Sequence, residues 1–381
     1  MAIKKETISM VDTFKEFNES KHIDRTTLVS VLEESFRNVI AKIFGSDENF
    51  DVIVNPDKGD FEIYRNRVVV ADGEVQDENK EIALTEARKI EADYEVGEDV
   101  SEPVDFAKFG RRAILNLRQT LASKILELEH DSLYNKYKDR VGEIVSAEVY
   151  QVWKREVLLV DDENNELILP KSEQIPSDVY RKGENVRAVI LRVDNENKNP
   201  KIILSRTSPT FLERLLEAEV PEINDGLISV KKIARMPGER AKIAVESYDE
   251  RIDPVGACVG PRGTRVQNIV DELNGEKIDI ISWSEDPVEL ISNVLSPATV
   301  EEVIVEDYEE QIATVVVPDY QLSLAIGKQG QNVRLAAKVS GWKIDIKSNS
   351  QYYSENEEDE IIDTEEIAAD EESREDIQVE N

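Results

Sequence analysis

The spacing of apolar residues divides the chain into stretches of different texture. From Leu28 onward, Val31, Leu32, Phe36, Val39, Ile40 and Ile43 fall at the steps of one helical face. Asp24 stands where an N-cap belongs, and Gly45 where such a helix would stop. Strands are predicted over Phe50–Val54 and Phe61–Val70, with Asn-Pro-Asp-Lys-Gly-Asp as the turn between them. A long helix is predicted over Phe106–Lys138, where Ile114, Leu117, Leu121, Ile125 and Leu128 step by 3, 4, 4 and 3. The texture then changes. Short strands are predicted at Glu143–Gln151, Glu156–Val160, Glu166–Leu169, Asn185–Val193 and Lys201–Ser205, with polar turn clusters at 161–165 and 194–198. Five strands in so short a stretch predict a small barrel of the OB type.

The remaining folded part repeats itself. The stretch Arg251–Ile281 has an apolar lead-in, then Gly260 and Gly263, an amphipathic helix and a Lys-Ile-Asp-Ile strand. Tyr320–Lys347 has the same order around Gly327 and Gly330. From the first glycine to the strand lysine is 17 residues in one copy (260 to 277) and 16 in the other (327 to 343). Constant internal spacing marks a duplicated unit. Two glycines three apart let bare backbone approach a ligand. The helix that follows aims free N–H groups and a partial positive charge at the same spot, which suits phosphate. Helices at Pro209–Glu217 and Pro287–Leu295 and strands at Leu227–Arg235 and Glu301–Glu306 precede the two cores. Helix-strand followed by strand-helix-helix-strand is the bacterial, type II arrangement of the KH domain. The KH Gly-x-x-Gly loop clamps about four nucleotides of single-stranded RNA.

Charge qualifies this picture. The formal net charge is −34, which in bulk would favour a protein partner over RNA. Its distribution matters more. Gln321–Lys347 carries five Lys/Arg against one Asp, whereas 354–381 carries 14 acids and one Arg. That last segment, acidic and without aromatics beyond Tyr353, reads as a disordered tail. Residues 71–105 hold 13 acids against three bases, either a solvated face or a docking surface for a basic partner. One cysteine, Cys258, and two distant histidines, His22 and His130, exclude an internal disulfide and a Cys/His zinc site. Cys258 reads as core. No apolar run approaches the ~18 residues of a membrane span, and the N-terminus lacks the apolar stretch of a secretory signal. A cytoplasmic protein without metal or cofactor is expected.

Four segments carry a resemblance: RIDPVGACVGPRG, AIGKQGQNVRLA, the SGW before the last strand, and FGRRA at the start of the long helix. With the domain order, they resemble the NusA family of bacterial transcription elongation, termination and antitermination factors, over about residues 5–348. The resemblance implies a multidomain α+β chain. An α/β N-terminal domain that binds RNA polymerase spans 1–138, an S1-type OB barrel 139–206, the first KH domain 207–284 and the second 285–350, with the acidic tail at 351–381. It implies RNA binding through Gly260, Pro261, Arg262 and Gly263 and through Gly327, Lys328, Gln329 and Gly330, helped by Arg265, Asn332 and Arg334. It also implies a monomer whose partners are RNA polymerase core, nascent RNA and other antitermination factors, with no enzyme activity. On the barrel, Tyr150, Trp153, Lys154 and Arg155 are candidate RNA contacts, with Trp153 equally readable as core. The barrel lacks the Phe-Gly-x-Phe aromatics of typical S1-type domains, and Arg155 and Leu158 stand where those rings would be.

Two rivals remain. Exonucleases of the polynucleotide phosphorylase type combine KH and S1-type domains in reverse order behind large catalytic domains, for which this chain has no room. Gly327-Lys328 is not a P-loop, since no glycine lies five residues before it and no Ser/Thr follows the lysine. No catalytic residue is predicted. The second rival is a ribosome-assembly or RNA-chaperone protein without polymerase contact.

Overall fold

In the computed structural model, residues 25–55, 60–105, 109–196 and 198–354 are described. Asp24 and the acidic tail from 355 onward lie outside them. The chain divides into two compact units, 1–136 with 195–200, and 137–194 with 201–381.

In the first unit, helix α1 (Arg25–Phe44) is stopped by Gly45, whose N–H returns to the Ala41 carbonyl. Strands β1 (Phe50–Asn55) and β2 (Asp60–Val70) pair antiparallel. Val31, Leu32, Phe36, Val39 and Ile40 of α1 pack with Phe50, Val52 and Ile63 and with Leu117, Leu121 and Ile125 of a later helix, Gly110–Lys138. The predicted start of that helix at 106–108 lies outside the described residues. The acidic stretch 71–105 is more than a charged face. It folds as β3 (Glu81–Ala83), α2 (Leu84–Ile90) and β4 (Asp99–Pro103), and both strands pair with β2. Val69, Ile82, Ala87 and Val100 form a small core of their own there. Sparse apolar residues among 13 acids hid these elements. The long helix Gly110–Lys138 is α3.

After α3 comes a closed barrel of β5 (Ile144–Val152), β6 (Glu156–Val160), β7 (Glu166–Pro170), β8 (Asn185–Glu196) and β9 (Asn199–Ser205), in the order β5-β6-β7-β9-β8. Then come α4 (Pro209–Glu219), α5 (Pro221–Asn224), β10 (Ile228–Met236), β11 (Arg240–Ser247), α6 (Pro254–Val259), α7 (Thr264–Glu272) and β12 (Lys277–Ser282). The second copy follows as α8 (Pro287–Val294), β13 (Glu302–Asp307), β14 (Ile312–Val317), α9 (Leu322–Ile326), α10 (Gln331–Ser340) and β15 (Lys343–Ser348). In both copies the central strand pairs antiparallel with the strand before it and parallel with the Lys-Ile-Asp-Ile strand. Lys277 lies opposite Arg240 and Lys343 opposite Ile312, so the duplicated motif takes the same place at the start of each parallel ladder.

Packing makes the barrel and both repeats continuous. Ile175 and Val189 of the barrel share a core with Phe211, Leu215, Ile243 and Ile269 of the first repeat. Ala234, Ala244 and Ile281, on the other face of that repeat's sheet, share a core with Ile291, Leu335 and Val339 of the second.

Candidate nucleic-acid interface

The two Gly-x-x-Gly loops have the same backbone. Gly260 and Gly327 sit at φ/ψ of 76/173° and 76/170°, a region essentially closed to residues with a Cβ. Arg262 (55/25°) and Gln329 (54/27°) are left-handed, as are Gly263 (77/14°) and Gly330 (73/18°). A left-handed non-glycine residue costs about 1–2 kcal/mol, and here the same cost recurs at the same position of both copies. Each loop is closed by its second glycine, Gly263 N–H to Gly260 O at 3.0 Å and Gly330 N–H to Gly327 O at 3.1 Å. α7 and α10 begin at once, so each loop ends on the N-terminus of a helix. Such turns followed by a helix dipole form anion-binding concavities.

The side chains around the loops differ. Arg262, Lys328, Gln329 and Arg334 are exposed, and among the described residues none has an ion pair or hydrogen bond through its side chain. They are free to meet phosphate. Arg265 is not. Its guanidinium donates to Glu222 Oε2 at 2.9 Å and to the Ala257 carbonyl at 2.6 Å, and its stem lies where a Cβ on Gly260 would sit. Asn332 departs further from the expected RNA contact. It is fully buried, and its Nδ2 donates to the carbonyls of Leu295 at 3.1 Å and Ala325 at 3.0 Å. Both residues hold the loops in place from behind. The Ala325 carbonyl lies near the end of short α9, where helical acceptors lack partners. That orphan acceptor is the signal that an amide at 332 belongs inside.

On the barrel, Tyr150 (51% exposed) and Trp153 (44%) face outward, so Trp153 is not core. Lys154 and Arg155 are exposed beside them, and Lys182 places its Nζ 5.3 Å from the Tyr150 ring centre. Lys182 escaped the sequence reading because it comes from a distant turn. Leu158 is buried, so only Arg155 of the two residues set against the missing rings reaches the surface.

Buried ion pairs fix these surfaces to one another. Arg206 joins Asp178 (2.6 Å) and Glu272 (2.9 Å), linking barrel to first repeat. Arg235 meets Glu276 with two 2.8 Å bonds, both side chains almost fully buried, and also donates to the carbonyls of Arg206 and Ser208. Lys242, with no exposed surface, donates to Asp279 at 3.1 Å and to the Ser296 carbonyl at 2.6 Å, tying the first repeat to the second. Burial pulls its ammonium below the ordinary lysine value, against the upward pull of Asp279. A lysine inside the run Ala241–Val245, apolar on both sheet faces, was the visible sign of a covered strand.

A closed OB barrel fused to two KH units with equivalent loops defines an S1–KH–KH RNA-binding protein. Family models match in the same order: the NusA N-terminal domain over residues 9–131, the S1 RNA binding domain over 138–206, the NusA-like first KH domain over 206–283 and the NusA-like second KH domain over 287–354. The chain is 43% identical over 341 residues to the transcription termination/antitermination protein NusA of Halalkalibacterium halodurans, covering 90% of this chain and 88% of that one. It is 41% identical to the Bacillus subtilis protein of that name (90% and 91% covered) and 39% identical to the one from Thermus thermophilus (84% and 86%). The chain belongs to the NusA family of transcription termination/antitermination proteins.

Proposed function

We propose that the chain is a transcription elongation factor. Its KH pair grips nascent single-stranded RNA while its N-terminal domain holds RNA polymerase core, and together they modulate pausing, termination and antitermination. The observation that carries this reading is the pair of equivalent loops, each with free cations or amides, held on one continuously packed body. The protein works as a monomer in the cytoplasm beside other antitermination factors, with no catalytic step and no cofactor. The names of its relatives support the transcription role.

Polymerase contact separates this from an RNA chaperone or ribosome-assembly protein. Glu74, Glu78, Glu86 and Asp93 are exposed and, among the described residues, without side-chain partners, so they are available to a basic surface. Purified full-length chain should co-elute with core polymerase in the absence of RNA. The complex should weaken as salt rises and on reversing those four charges. No co-elution at any salt would leave the chaperone reading standing. Retention by the charge-reversed chain would reduce the acidic stretch to a solvated face.

A further inference from the structure

The two repeats match in their loops but not in the helix that leads to them. Aligning Gly260 with Gly327 sets Asp253 against Tyr320 and Ala257 against Leu324. In the first repeat Asp253 serves the fold, since its carboxylate accepts from the Val255 N–H at 3.1 Å and caps α6. In the second, the neighbouring Asp319 is bound to Ser350, and Tyr320 projects into solvent. Tyr320 is 82% exposed, and among the described residues its side chain makes no hydrogen bond or ring contact. One helical turn on, Leu324 is 44% exposed, and Ile326, next to the loop, is 37% exposed. Tyr320 stands in the 3₁₀ turn Asp319–Gln321 that leads into α9, Leu324 follows four residues on, and Ile326, on another face of α9, borders Gly327-Lys328. A 3₁₀ turn and the five residues of α9 separate Tyr320 from Gly327, a rise of about 10 Å, so the ring stands outside the loop within reach of a flanking nucleotide.

An isolated exposed leucine means little. An unsupported tyrosine ring in line with a phosphate-binding loop means more. Aromatic faces accept any base, while a cationic loop holds the backbone. We propose that Tyr320 is a stacking platform for a nucleotide flanking the stretch clamped by the second loop, with the exposed Leu324 as an apolar contact between ring and clamp. The first repeat, with Asp253 and Ala257 at those places, has no such platform. The second repeat therefore holds a longer stretch of RNA than the first. This rests on the RNA-clamp reading of the Gly-x-x-Gly loops.

The experiment uses the full chain with oligoadenylates of four and ten nucleotides, and a ten-nucleotide RNA bearing 5-iodouridine. Tyr320→Ala should leave the melting temperature unchanged, because the ring is exposed. It should weaken binding of the ten-mer by about fivefold or more, fivefold being the low end of the loss of one stacked base, and change the four-mer far less. Tyr320→Phe should keep the wild-type affinity, and ultraviolet irradiation of the iodinated RNA should yield an adduct on the peptide carrying Tyr320. Equal ten-mer affinity for wild type and Tyr320→Ala would overturn the platform. So would a loss in Tyr320→Phe as large as in Tyr320→Ala, because a stacked ring does not need its hydroxyl. Lys328→Asp/Gln329→Asp serves as the control. If that variant binds both oligomers like wild type, the clamp reading itself fails. If it loses both while Tyr320→Ala loses neither, only the platform fails.

Discussion

Asn332 shows how a residue can matter to a site without touching the ligand. Its amide satisfies two carbonyls, and its own Oδ1 finds no partner in the interior. Asn332→Ala would strand the Ala325 carbonyl, while Leu295 O would keep the Ala298 N–H, at about 1–3 kcal/mol for a buried group left unpaired. The expected outcome is a lower midpoint in urea, with RNA affinity falling because the loop loosens. Normal stability with lost RNA binding would instead put Asn332 in direct contact. Cys258 tests the interior of the first repeat by another route. Burial pushes its thiol up to about 11, so in the folded chain it stays protonated where a free cysteine, near 8.5, has ionised. Alkylation by iodoacetamide should stay slow through about pH 9 in buffer and become fast in urea. Fast native alkylation near pH 8 would show that α6 opens readily.

Among the elements, the two loops should respond unequally to the same change. A Cβ on Gly260 would meet the Arg265 stem, with Cγ at 2.6 Å, and that side chain can turn aside by giving up Glu222 and the Ala257 carbonyl. A Cβ on Gly327 would meet the Asn332 backbone nitrogen at 2.8 Å, at the start of α10, which cannot move without the helix. Both changes strain φ, but Gly327→Ala should cost more stability and more RNA affinity than Gly260→Ala. Thermal melts and RNA titrations of the two variants check the order, and the reverse order would refute the account of the loops. The elements were legible where the chain repeats a pattern: both KH cores, the five barrel strands and the glycine loops follow from period and spacing. The β3–α2–β4 segment was not, because one or two apolar residues per element give no period. Nor were the roles of Arg265 and Asn332. Each has one partner tens of residues away, Glu222 for Arg265 and Leu295 for Asn332, and the family resemblance set both beside the ligand.

For the whole molecule, shared cores and buried ion pairs leave no seam between barrel and KH repeats. Arg235→Met would strand Glu276 in the interior, a loss of about 3–5 kcal/mol for a broken buried pair. Because the cores are continuous, the barrel and both repeats should lose amide protection together in that variant, as followed by hydrogen exchange. Loss confined to the first repeat would mean the three fold separately. The same continuity makes the interface rigid, so RNA affinity should depend on charge presented at the loops. The central claim is that these loops clamp RNA, and the most direct test is the affinity of the full-length Lys328→Asp/Gln329→Asp variant for single-stranded RNA. Both side chains are exposed, so the variant should melt as wild type does. Two carboxylates set against the phosphate path should weaken binding by about tenfold or more at low salt. Unchanged affinity in the folded variant would contradict the account.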